Sequence, residues 1–439
     1  MPTVVHWFRH DLRLHDNPAL HASLACAERE GWAWLGVWWA GERWHGESPW
    51  GFPRAGAHRQ AFLQQALADL GASLHARGSG MVVLCDPSPE AFLTLARQVD
   101  ARLVVAEDIA APDEQAEVAA LRAGGLAVET VWQSTLLDPA CLPWPVQDVP
   151  DVFTAFRQGV ERAALLPNAP LPVPAHWPVW PNALARPEPQ TPQNLPPGSV
   201  DKRSSFPYGQ APWQGGETQT LAHLRNYFAS DRPPQYKATR NGLSGTGFSS
   251  KWSPGLASGA LSPRQAFAAL RDFEARQGAS DGSYWLWFEL LWREHFRCMA
   301  LKHGRALFRA RGLSSRPEHR EPTQHDEAAF KRWCAGETGE PLVDAGMREL
   351  RHTGFLSNRL RQIVASHWLH GMGGDWRAGA AWFEAQLLDF DVHSNTGNWL
   401  YIAGRGTDLR GGRAFDLAKQ TQQHDPAGHY RAMWASGGF

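Results

Sequence analysis

The chain has 439 residues, enough for two or three domains with sizeable cores, and its 43 basic and 44 acidic residues give a net charge of −1. This balance excludes a protein that binds polyanions over its whole surface, but it leaves room for a local basic patch. Its five cysteines are widely spaced, and it has neither an N-terminal apolar signal segment nor an apolar run of about 18 residues, so we expect a cytoplasmic protein without a disulfide framework, zinc site or membrane span.

The first 135 residues alternate short apolar runs with helical patterns. Helices are predicted from residue 18 and over 54–70, 88–98 and 113–122. Strands are predicted over 4–8, 32–39, 81–84, 103–106 and 126–131. Such alternation predicts a doubly wound α/β domain over residues 1–135, with a parallel sheet covered on both faces. No glycine-rich fingerprint follows the first strand, so we do not expect this sheet to hold a dinucleotide in the usual way.

Residues 136–214 are predicted to form an inter-domain connector. Eleven prolines fall between Pro167 and Pro197, which excludes a regular helix or central strand there. From residue 215 onward the patterns are helical and no strand pattern interrupts them. The predicted fold is therefore an α/β domain, a proline-rich connector and an all-helical domain over 215–439, with loops at 238–250 and 389–415.

Glycines and hydroxyl side chains are concentrated between residues 236 and 264. Ser249, Ser250 and Ser253 surround Lys251, and such a segment can present amides, hydroxyls and an ammonium group to a phosphate. The alternative is a solvated turn before a helix.

Two helical segments carry charged pairs. Glu289 and Arg293 are four residues apart, so we expect an ion pair on one helix face, buried because its neighbours are apolar. A buried pair costs desolvation unless a ligand uses it, and the alternative is an ordinary intrahelical pair. Asn358 and Arg361 are three apart and predict a clamp on a ring or a pyrophosphate, with surface charge as the alternative.

Residues 389–405 combine carboxylates, an amide and electron-rich rings. Asp389 and Asp391 are two residues apart, and Asn395, Trp399 and Tyr401 follow. The glycines at 397, 404 and 406 predict that no long helix forms here, so that the backbone can approach a ligand closely. The combination suits a polar, redox-active aromatic cofactor; the alternative is that the acids cap helices and the Trp fills a core.

These segments, in their order and spacing, resemble the photolyase/cryptochrome family. The resemblance rests on residues 7–20, 236–264, 289–297, 353–362 and 389–401 and extends over essentially the whole chain. Residues 151–157, 239–243, 248–251 and 353–359 are most similar to the cryptochrome DASH branch. The resemblance identifies residues 1–135 with the antenna domain and residues 215–439 with the catalytic domain of the family.

The resemblance implies that FAD binds in a folded conformation inside the helical domain. Asn395 matches the residue that faces the central ring nitrogen of the flavin, where a neutral amide favours the reduced cofactor. The other implied FAD contacts are Tyr236, Ser249, Ser250, Ser253, Glu289, Arg293, Asn358, Arg361, Asp389 and Asp391. A second chromophore, often a folate in DASH proteins, is common in the family; the matching loop contains Glu107, Asp108 and Glu114, and the question stays open.

The implied activity is blue-light-driven splitting of cyclobutane pyrimidine dimers by electron transfer from reduced flavin. Glu289 matches the acid that hydrogen-bonds the dimer carbonyls, and Trp292 and Tyr401 match the aromatic pair that brackets the lesion. Many duplex-active relatives carry Trp in place of Tyr401 and Met in place of Gln362. Because flipping a lesion out of a duplex costs a few kcal/mol, we expect a preference for single-stranded DNA.

A row of three tryptophans reduces the flavin in this family. Trp399 and Trp376 match the two inner positions and, with Glu289, Asn358 and Asn395, complete the predicted catalytic set. The outer position falls at Thr323, which cannot be oxidised in turn, and Trp333 is an alternative exit.

The expected partner is dimer-containing DNA. The protein is expected to be a monomer that does not associate with a membrane. Residues 281–320 contain eight basic against four acidic side chains, and Arg405, Arg410 and Arg413 follow the flavin loop, so they are predicted to surround the cavity with positive charge. The alternative is scattered, solvated arginines. A blue-light photoreceptor or nucleic-acid-binding regulator with little repair activity is the rival function, and a flavin reductase lacks a visible nicotinamide site.

Overall fold

The computed structural model describes residues 1–190, 195–319, 323–407 and 411–435. Its first part contains a single five-stranded sheet in the order β3-β2-β1-β4-β5, and every neighbouring pair is parallel. The central strand β1 places Val5 opposite Leu35 on one side and opposite Val104 on the other. The strands are β1 (Thr3–Phe8), β2 (Ala33–Trp39), β3 (Met81–Leu84), β4 (Ala101–Glu107) and β5 (Val128–Val131). The predicted doubly wound sheet is confirmed.

Helices cover both faces of this sheet. Adjacent residues of β1 belong to different cores, with Val4 in one and Val5 in the other, as the pleat requires. Asn17 caps the first helix and Ser88 caps the fourth, each directly before a proline, which is a favourable way to start a helix. The helices are α1 (Pro18–Glu30), α2 (Gly41–His45), α3 (Ala57–His75), α4 (Pro89–Gln98) and α5 (Pro112–Ala123).

The segment after the sheet contains the helix α6 (Phe153–Arg162) and then an extended chain. Within residues 163–190 and 195–196 there is neither helix nor strand, as the prolines predicted. This chain lies along the sheet, since the Trp34 amide donates to the Val179 carbonyl over 3.0 Å. The domain boundaries near residues 135 and 214 stay a prediction.

The second part of the chain is helical, and its described residues contain no strand. A single π-helical turn, His367–Gly371, follows one of these helices. The helices are α7 (Glu217–Phe228), α8 (Arg232–Thr239), α9 (Ser253–Ser258), α10 (Pro263–Gln277), α11 (Asp281–His303), α12 (Glu327–Ala335), α13 (Pro341–Thr353), α14 (Asn358–Ser366), α15 (Trp376–Gln386), α16 (Val392–Ala403), α17 (Leu417–His424) and α18 (His429–Met433).

The prediction of a loop over 389–415 is wrong for α16. Asp391 caps this helix by accepting from the Ser394 amide, and Gly404 ends it in the left-handed conformation. Gly397 lies inside the helix because Phe296 packs against it: a Cβ there would lie 2.2 Å from Phe296 Cδ1. The glycine therefore serves close helix packing and does not break the helix.

No helix among the described residues has the length and apolar character needed to span a membrane.

Candidate functional site

Three neighbouring cavities in the helical part contain nearly all of the predicted site residues. The largest, which we call the polar cavity, has a volume of ≈ 250 Å³ and is lined by α8, α9, α11 and α14 and by the segments before α9, α14 and α16. The structure brings together on its wall Tyr236, Ser249, Ser250, Ser253, Glu289, Arg293, Asn358, Arg361, Asp389 and Asp391.

The second cavity, the inner cavity of ≈ 90 Å³, shares Asn358, Arg361, Asp389 and Asp391 with the polar cavity. It adds the predicted residues Gln362, Asn395 and Trp399. The Asn395 side-chain amide donates to the Ala380 carbonyl over 3.0 Å, so its oxygen stays available as an acceptor. Gln362 is held by Arg359, whose guanidinium donates to its side-chain oxygen over 3.0 Å.

The third cavity, the aromatic cavity of ≈ 80 Å³, is lined by the predicted pair Trp292 and Tyr401. Their ring centroids are 6.1 Å apart and their planes are inclined by 67°, so the two rings form an L. Phe153, at the start of α6, stacks on Trp292 with a centroid distance of 3.7 Å and an angle of 12°. Arg413 lies over the Tyr401 ring at 4.8 Å. The Trp292 ring is thus held between a stacked and an edge-on neighbour.

Trp376 is the one predicted site residue that lines none of these three cavities. It begins α15, is buried, and its indole N–H donates to the Ala310 carbonyl over 2.8 Å. Its role therefore cannot include contact with a ligand in these cavities.

The predicted ion pair between Glu289 and Arg293 is wrong. Glu289 pairs with Arg240 at the end of α8, and its side chain is 32% exposed. Arg293 turns the other way and donates to the Ser134 carbonyl over 2.7 Å. Helical spacing permits a pair of residues four apart, but here α8 brings a better placed partner to Glu289. Burial lowers the pKa of Arg293 to about 9, with Arg297 adding to the shift.

The two aspartates of the site are held by arginines. Arg361 donates to both oxygens of Asp389, over 2.9 and 2.8 Å. Arg297 pairs with Asp391 over 2.6 Å. Burial acts to raise the pKa of Asp391, but Arg297, His393 and Arg293 together hold it well below its usual value. Both carboxylates are therefore fixed in position before any ligand binds.

Lys251 is the exceptional charge of the polar cavity. It lines the cavity wall, it is 4% exposed, and its ammonium group finds no hydrogen-bond acceptor among the residues that the structure describes. Burial lowers its pKa to about 7, although Glu349 and Asp389 act in the opposite direction. Lys251 and Ser249 both have positive φ, +56° and +59°, a strained conformation for residues other than glycine.

The charges of the polar cavity do not cancel. Its wall carries four cations against three carboxylates, and Glu289, Asp389 and Asp391 are taken by Arg240, Arg361 and Arg297. Lys251 and Arg293 have no carboxylate partner within the described ranges. The Lys251 ammonium lies over the rings of Phe248 and Phe355, 3.4 and 4.8 Å from their centroids, but has no hydrogen-bond acceptor among the described residues. Beside three serines it fits the phosphates of an anionic dinucleotide such as FAD, because an anion would complete its hydrogen bonds.

The predicted ring of positive charge stays a prediction, and the described arginines after the flavin loop lie in different surroundings. Arg405 points inward, where it donates to the Ala310 carbonyl over 2.7 Å and meets Thr323 Oγ1 at 3.4 Å. Arg413 lies over Tyr401 at the aromatic cavity. Arg410 lies outside the described residues.

Three residues of the site were missed by sequence reasoning. Arg297 follows Arg293 by four residues on α11, and this spacing is the signal from which it could have been found. Arg240 and Phe153 belong to other elements, and no local pattern predicts that they reach Glu289 and Trp292. Both contacts depend on tertiary packing.

A separate cavity of ≈ 900 Å³, the sheet cavity, lies between β3 and α3. Trp38, Trp44 and His45 give it aromatic walls, and Gln60 and Gln64 give it amides. Two of the three acids of the nearby loop are engaged or buried elsewhere: Glu114 pairs with Arg43 over 2.9 Å, and Glu107 is 2% exposed with its pKa raised to about 7 by burial and by Asp11.

Family models match both parts of the chain. Residues 4–175 match the model described as DNA photolyase, and residues 285–436 match the model described as the FAD binding domain of DNA photolyase.

Similar proteins cover almost the full length. A cryptochrome DASH from Synechocystis sp. is 40% identical over 438 residues, which are 99% of this chain and 87% of that protein. The crystal structure of a Synechocystis sp. PCC6803 cryptochrome has a TM-score of 0.88 at 40% identity, with 99% of this chain and 88% of that chain covered. A bacterial class III photolyase from Agrobacterium tumefaciens has a TM-score of 0.77 at 27% identity, with coverage of 99% and 86%.

Proposed function

The chain belongs to the photolyase/cryptochrome family, and from this premise we propose that it repairs cyclobutane pyrimidine dimers under blue light, with single-stranded DNA as its preferred substrate. The supporting observation is that two helices each serve both the cofactor side and the substrate side. Helix α11 contributes Glu289 and Arg293 to the polar cavity and Trp292 to the aromatic cavity. Helix α16 contributes Asn395 to the inner cavity and Tyr401 to the aromatic cavity. A cofactor and a lesion would therefore be held within a few side chains of each other.

The polar and inner cavities hold the cofactor. Lys251 and the serines 249, 250 and 253 bind its phosphates, since the buried Lys251 ammonium has no hydrogen-bond acceptor among the described residues. Arg361 and Asp389, locked to each other, give a rigid wall. Asn395 offers an acceptor oxygen to a protonated ring nitrogen. Bound FAD, when reduced and excited by light, supplies the electron that splits the dimer.

The aromatic pair positions the lesion. The two pyrimidine rings of a cyclobutane dimer are joined through tetrahedral carbons and are inclined to each other, so two ring faces at 67° suit them better than two parallel faces. Phe153 keeps Trp292 in place by stacking on it. At the edge of the polar cavity, the Glu289 carboxylate accepts hydrogen bonds from N–H groups of the lesion's pyrimidine rings. Arg240 beside it donates to the carbonyls of those rings.

The preference for single strands follows from the size of Tyr401 at the aromatic cavity and from the polarity of Gln362 at the neighbouring inner cavity. Tyr401 offers a smaller ring than Trp, and Gln362 is a polar side chain already bonded to Arg359. Both reduce the apolar contact that could offset the few kcal/mol needed to flip a lesion out of a duplex. A flexible single strand does not incur this cost.

The test is repair of oligonucleotides that carry one thymine dimer, single- and double-stranded, by chemically reduced protein with and without blue light. We expect light-dependent repair of the single strand and at least tenfold slower repair of the duplex. The Glu289→Gln variant should lose most of the activity, and Trp434→Phe, a change of a buried Trp away from the cavities, should keep it. No repair of the single strand by flavin-loaded protein would overturn the proposal and favour the photoreceptor alternative.

The sheet cavity suits a second, light-gathering chromophore. Trp44 and His45 provide rings for stacking, and Gln60 and Gln64 provide amide groups for a heterocycle such as the pterin of a folate. The test is fluorescence quenching of a reduced folate by the protein and by Trp44→Ala. Equal binding by both proteins would contradict this location.

A further inference from the structure

The inner tryptophan Trp399 has an indole neighbour that does not belong to the predicted row. The ring of Trp333, on α12, lies 6.2 Å from Trp399 at 78°, and Trp368 lies 5.4 Å from Trp333 at 31°. Trp399 itself lines the inner cavity. Trp376 makes no ring contact of this kind with the described aromatic residues. Two indoles thus continue from Trp399 through ring contacts that do not include Trp376.

The surroundings of Trp376 oppose a positive charge on its ring. Arg405 and Trp376 donate to the same carbonyl of Ala310, over 2.7 and 2.8 Å, which places a guanidinium beside the indole. Like charges at this separation repel in a partly buried site, and the neighbouring carboxylate of Asp375 is already paired with Arg377. The next position outward is Thr323, whose hydroxyl lies 3.4 Å from the same guanidinium and which offers no oxidisable ring. An oxidised Trp376 would therefore be destabilised and would have no ring to pass its charge to at that position.

The surroundings of Trp333 and Trp368 differ. No cation lies over either ring in the part of the chain that the structure describes. Both side chains are fully buried, and their N–H groups donate to backbone carbonyls, that of Trp333 to Val364 over 3.0 Å and that of Trp368 to Asp375 over 2.8 Å. A peptide carbonyl does not take up the proton of an oxidised indole. Two rings this close can share one positive charge, which lowers its cost.

We propose that Trp333 and Trp368 form a side branch that takes the positive charge from Trp399 during light-driven reduction of the flavin. This inference rests on the proposed function, because it assumes bound FAD. Trp399 gives one electron to the flavin and becomes a cation radical. Trp333 then gives one electron to Trp399 and becomes the cation radical. Its positive charge is shared with Trp368, and no proton moves. An external thiol supplies the electron that finally restores the tryptophan. Because the branch is enclosed, the charge mostly returns, and net photoreduction is slow.

The geometry of the branch is tested first on flavin-free protein. Indoles whose rings lie this close couple their electronic transitions, so the far-ultraviolet circular dichroism should show a two-signed band near the indole absorption. Other close indole pairs, such as Trp7–Trp39 and Trp34–Trp177, contribute to the same region, so the test uses difference spectra. Trp333→Phe and Trp368→Phe should each remove the same two-signed component, and Trp434→Phe should leave it. A spectrum that all three variants share with the wild type would contradict the pair. This measurement does not depend on flavin or on DNA, so it stays informative if the proposed function fails.

The branch itself is tested by transient absorption of oxidised, flavin-loaded protein without DNA. Trp333→Phe should reduce the lifetime of the tryptophan cation radical at least threefold, and Trp376→Phe should change it less than twofold. The lifetime of the wild type should not depend on pH between 6 and 9, since no proton leaves. The opposite ranking of the two variants, or loss of the long-lived radical in Trp376→Phe alone, would overturn the proposal.

Two further variants probe the reason for the branch. Arg405→Gln removes the opposing charge and should increase the share of Trp376, so that Trp376→Phe then has the larger effect. Thr323→Trp alone should improve steady photoreduction by a thiol only slightly, because Arg405 remains, whereas Thr323→Trp with Arg405→Gln should improve it severalfold. Full recovery in Thr323→Trp alone would show that the missing ring, and not the arginine, limits the Trp376 route.

Discussion

The sheet part and the helical part of the molecule both bury arginines, but they neutralise them differently. In the sheet part, Arg9 pairs with Glu117 over 2.9 Å, and Arg43 pairs with Glu114 and Glu117 over 2.9 and 3.1 Å. In the polar cavity, Lys251 is buried and Arg293 is partly buried, and neither has a carboxylate partner among the described residues. Burying an unpaired charge costs folding free energy, so a protein keeps such a charge where a ligand compensates it. The sheet part also buries Arg13, which donates to backbone carbonyls, so the lack of a carboxylate alone does not mark a ligand-binding charge. Lys251 differs because its ammonium lines a cavity and has no hydrogen-bond acceptor among the described residues.

The largest expected effects come from breaking one carboxylate in each part. Glu117→Ala leaves Arg9 without its carboxylate partner and Arg43 with only Glu114, and removing one member of a buried pair costs about 3–5 kcal/mol. Asp389→Ala frees Arg361 beside the cofactor and should lower flavin occupancy at least tenfold. Chemical denaturation and the flavin absorbance of the purified proteins measure the two effects.

The two variants should separate the effect on folding from the effect on flavin binding. Folded Glu117→Ala should keep its flavin, and Asp389→Ala should lose it. The exposed pair Arg29–Glu30 supplies a control, since Glu30→Ala should change neither property. Flavin loss in Glu117→Ala at full foldedness would show that the sheet charges also serve the cofactor.

Lys251→Met should stabilise the flavin-free protein and weaken the binding of FAD. The methionine fills similar space without an unsatisfied ammonium, so the free energy of unfolding without flavin should rise by about 1–3 kcal/mol. Affinity for FAD should fall at least tenfold, since the phosphates lose their buried cation. Denaturation and flavin titration check this opposite pair of effects, and a loss of stability without flavin would mean that Lys251 has a structural role.

The pH dependence of FAD binding follows from the pKa of Lys251, which burial lowers to about 7 in the absence of ligand. Below pH 7 the side chain is charged and attracts phosphate; above pH 7 it becomes neutral. Affinity should therefore be highest below about pH 7 and fall by up to about tenfold per pH unit above it. Titrations between pH 6 and 9 measure the slope, and Lys251→Met should flatten it. A flat profile in the wild type would contradict this role.

Asn395→Asp should have the smallest effect of the changes predicted here. A fixed anion replaces an acceptor amide in the inner cavity and disfavours added electron density on the flavin ring by roughly 1–2 kcal/mol. Illumination with a thiol should therefore accumulate less reduced flavin. Asn398→Asp adds the same charge at an exposed position of that cavity and should change little. Unchanged photoreduction in Asn395→Asp would show that this position does not set the preference.

Sequence reasoning placed the sheet and most of the cavity wall correctly, for a physical reason. Buried parallel strands are nearly continuous apolar runs, and the prolines between 167 and 197 exclude regular structure. Segments 249–253 and 389–395 are short, so residues close in sequence are also close in space. The predicted residues there line the polar cavity, except Asn395, which lines the adjoining inner cavity.

The errors concern contacts between distant elements. Glu289 finds Arg240, 49 residues away, and Asp391 finds Arg297, 94 residues away. Spacing along one helix shows which ion pairs are possible within that helix. It cannot show where a second helix supplies a different partner. Gly397 predicts a break, because glycine inside a helix costs about 1 kcal/mol relative to alanine. The helix nevertheless continues, and the close contact with Phe296 requires a glycine there. Unpaired charges, such as Lys251, likewise become visible only when every partner is in place.

Equilibrium titration of flavin-free protein with FAD and with riboflavin tests the central claim most directly. Riboflavin has the same ring but no phosphates, so it cannot use the unpaired cations of the polar cavity. We expect FAD to bind at least 100-fold more tightly than riboflavin, and we expect Lys251→Met to lose most of this difference while Glu117→Ala keeps it. Equal affinities for the two ligands in the wild type, or an undiminished preference in Lys251→Met, would contradict the account.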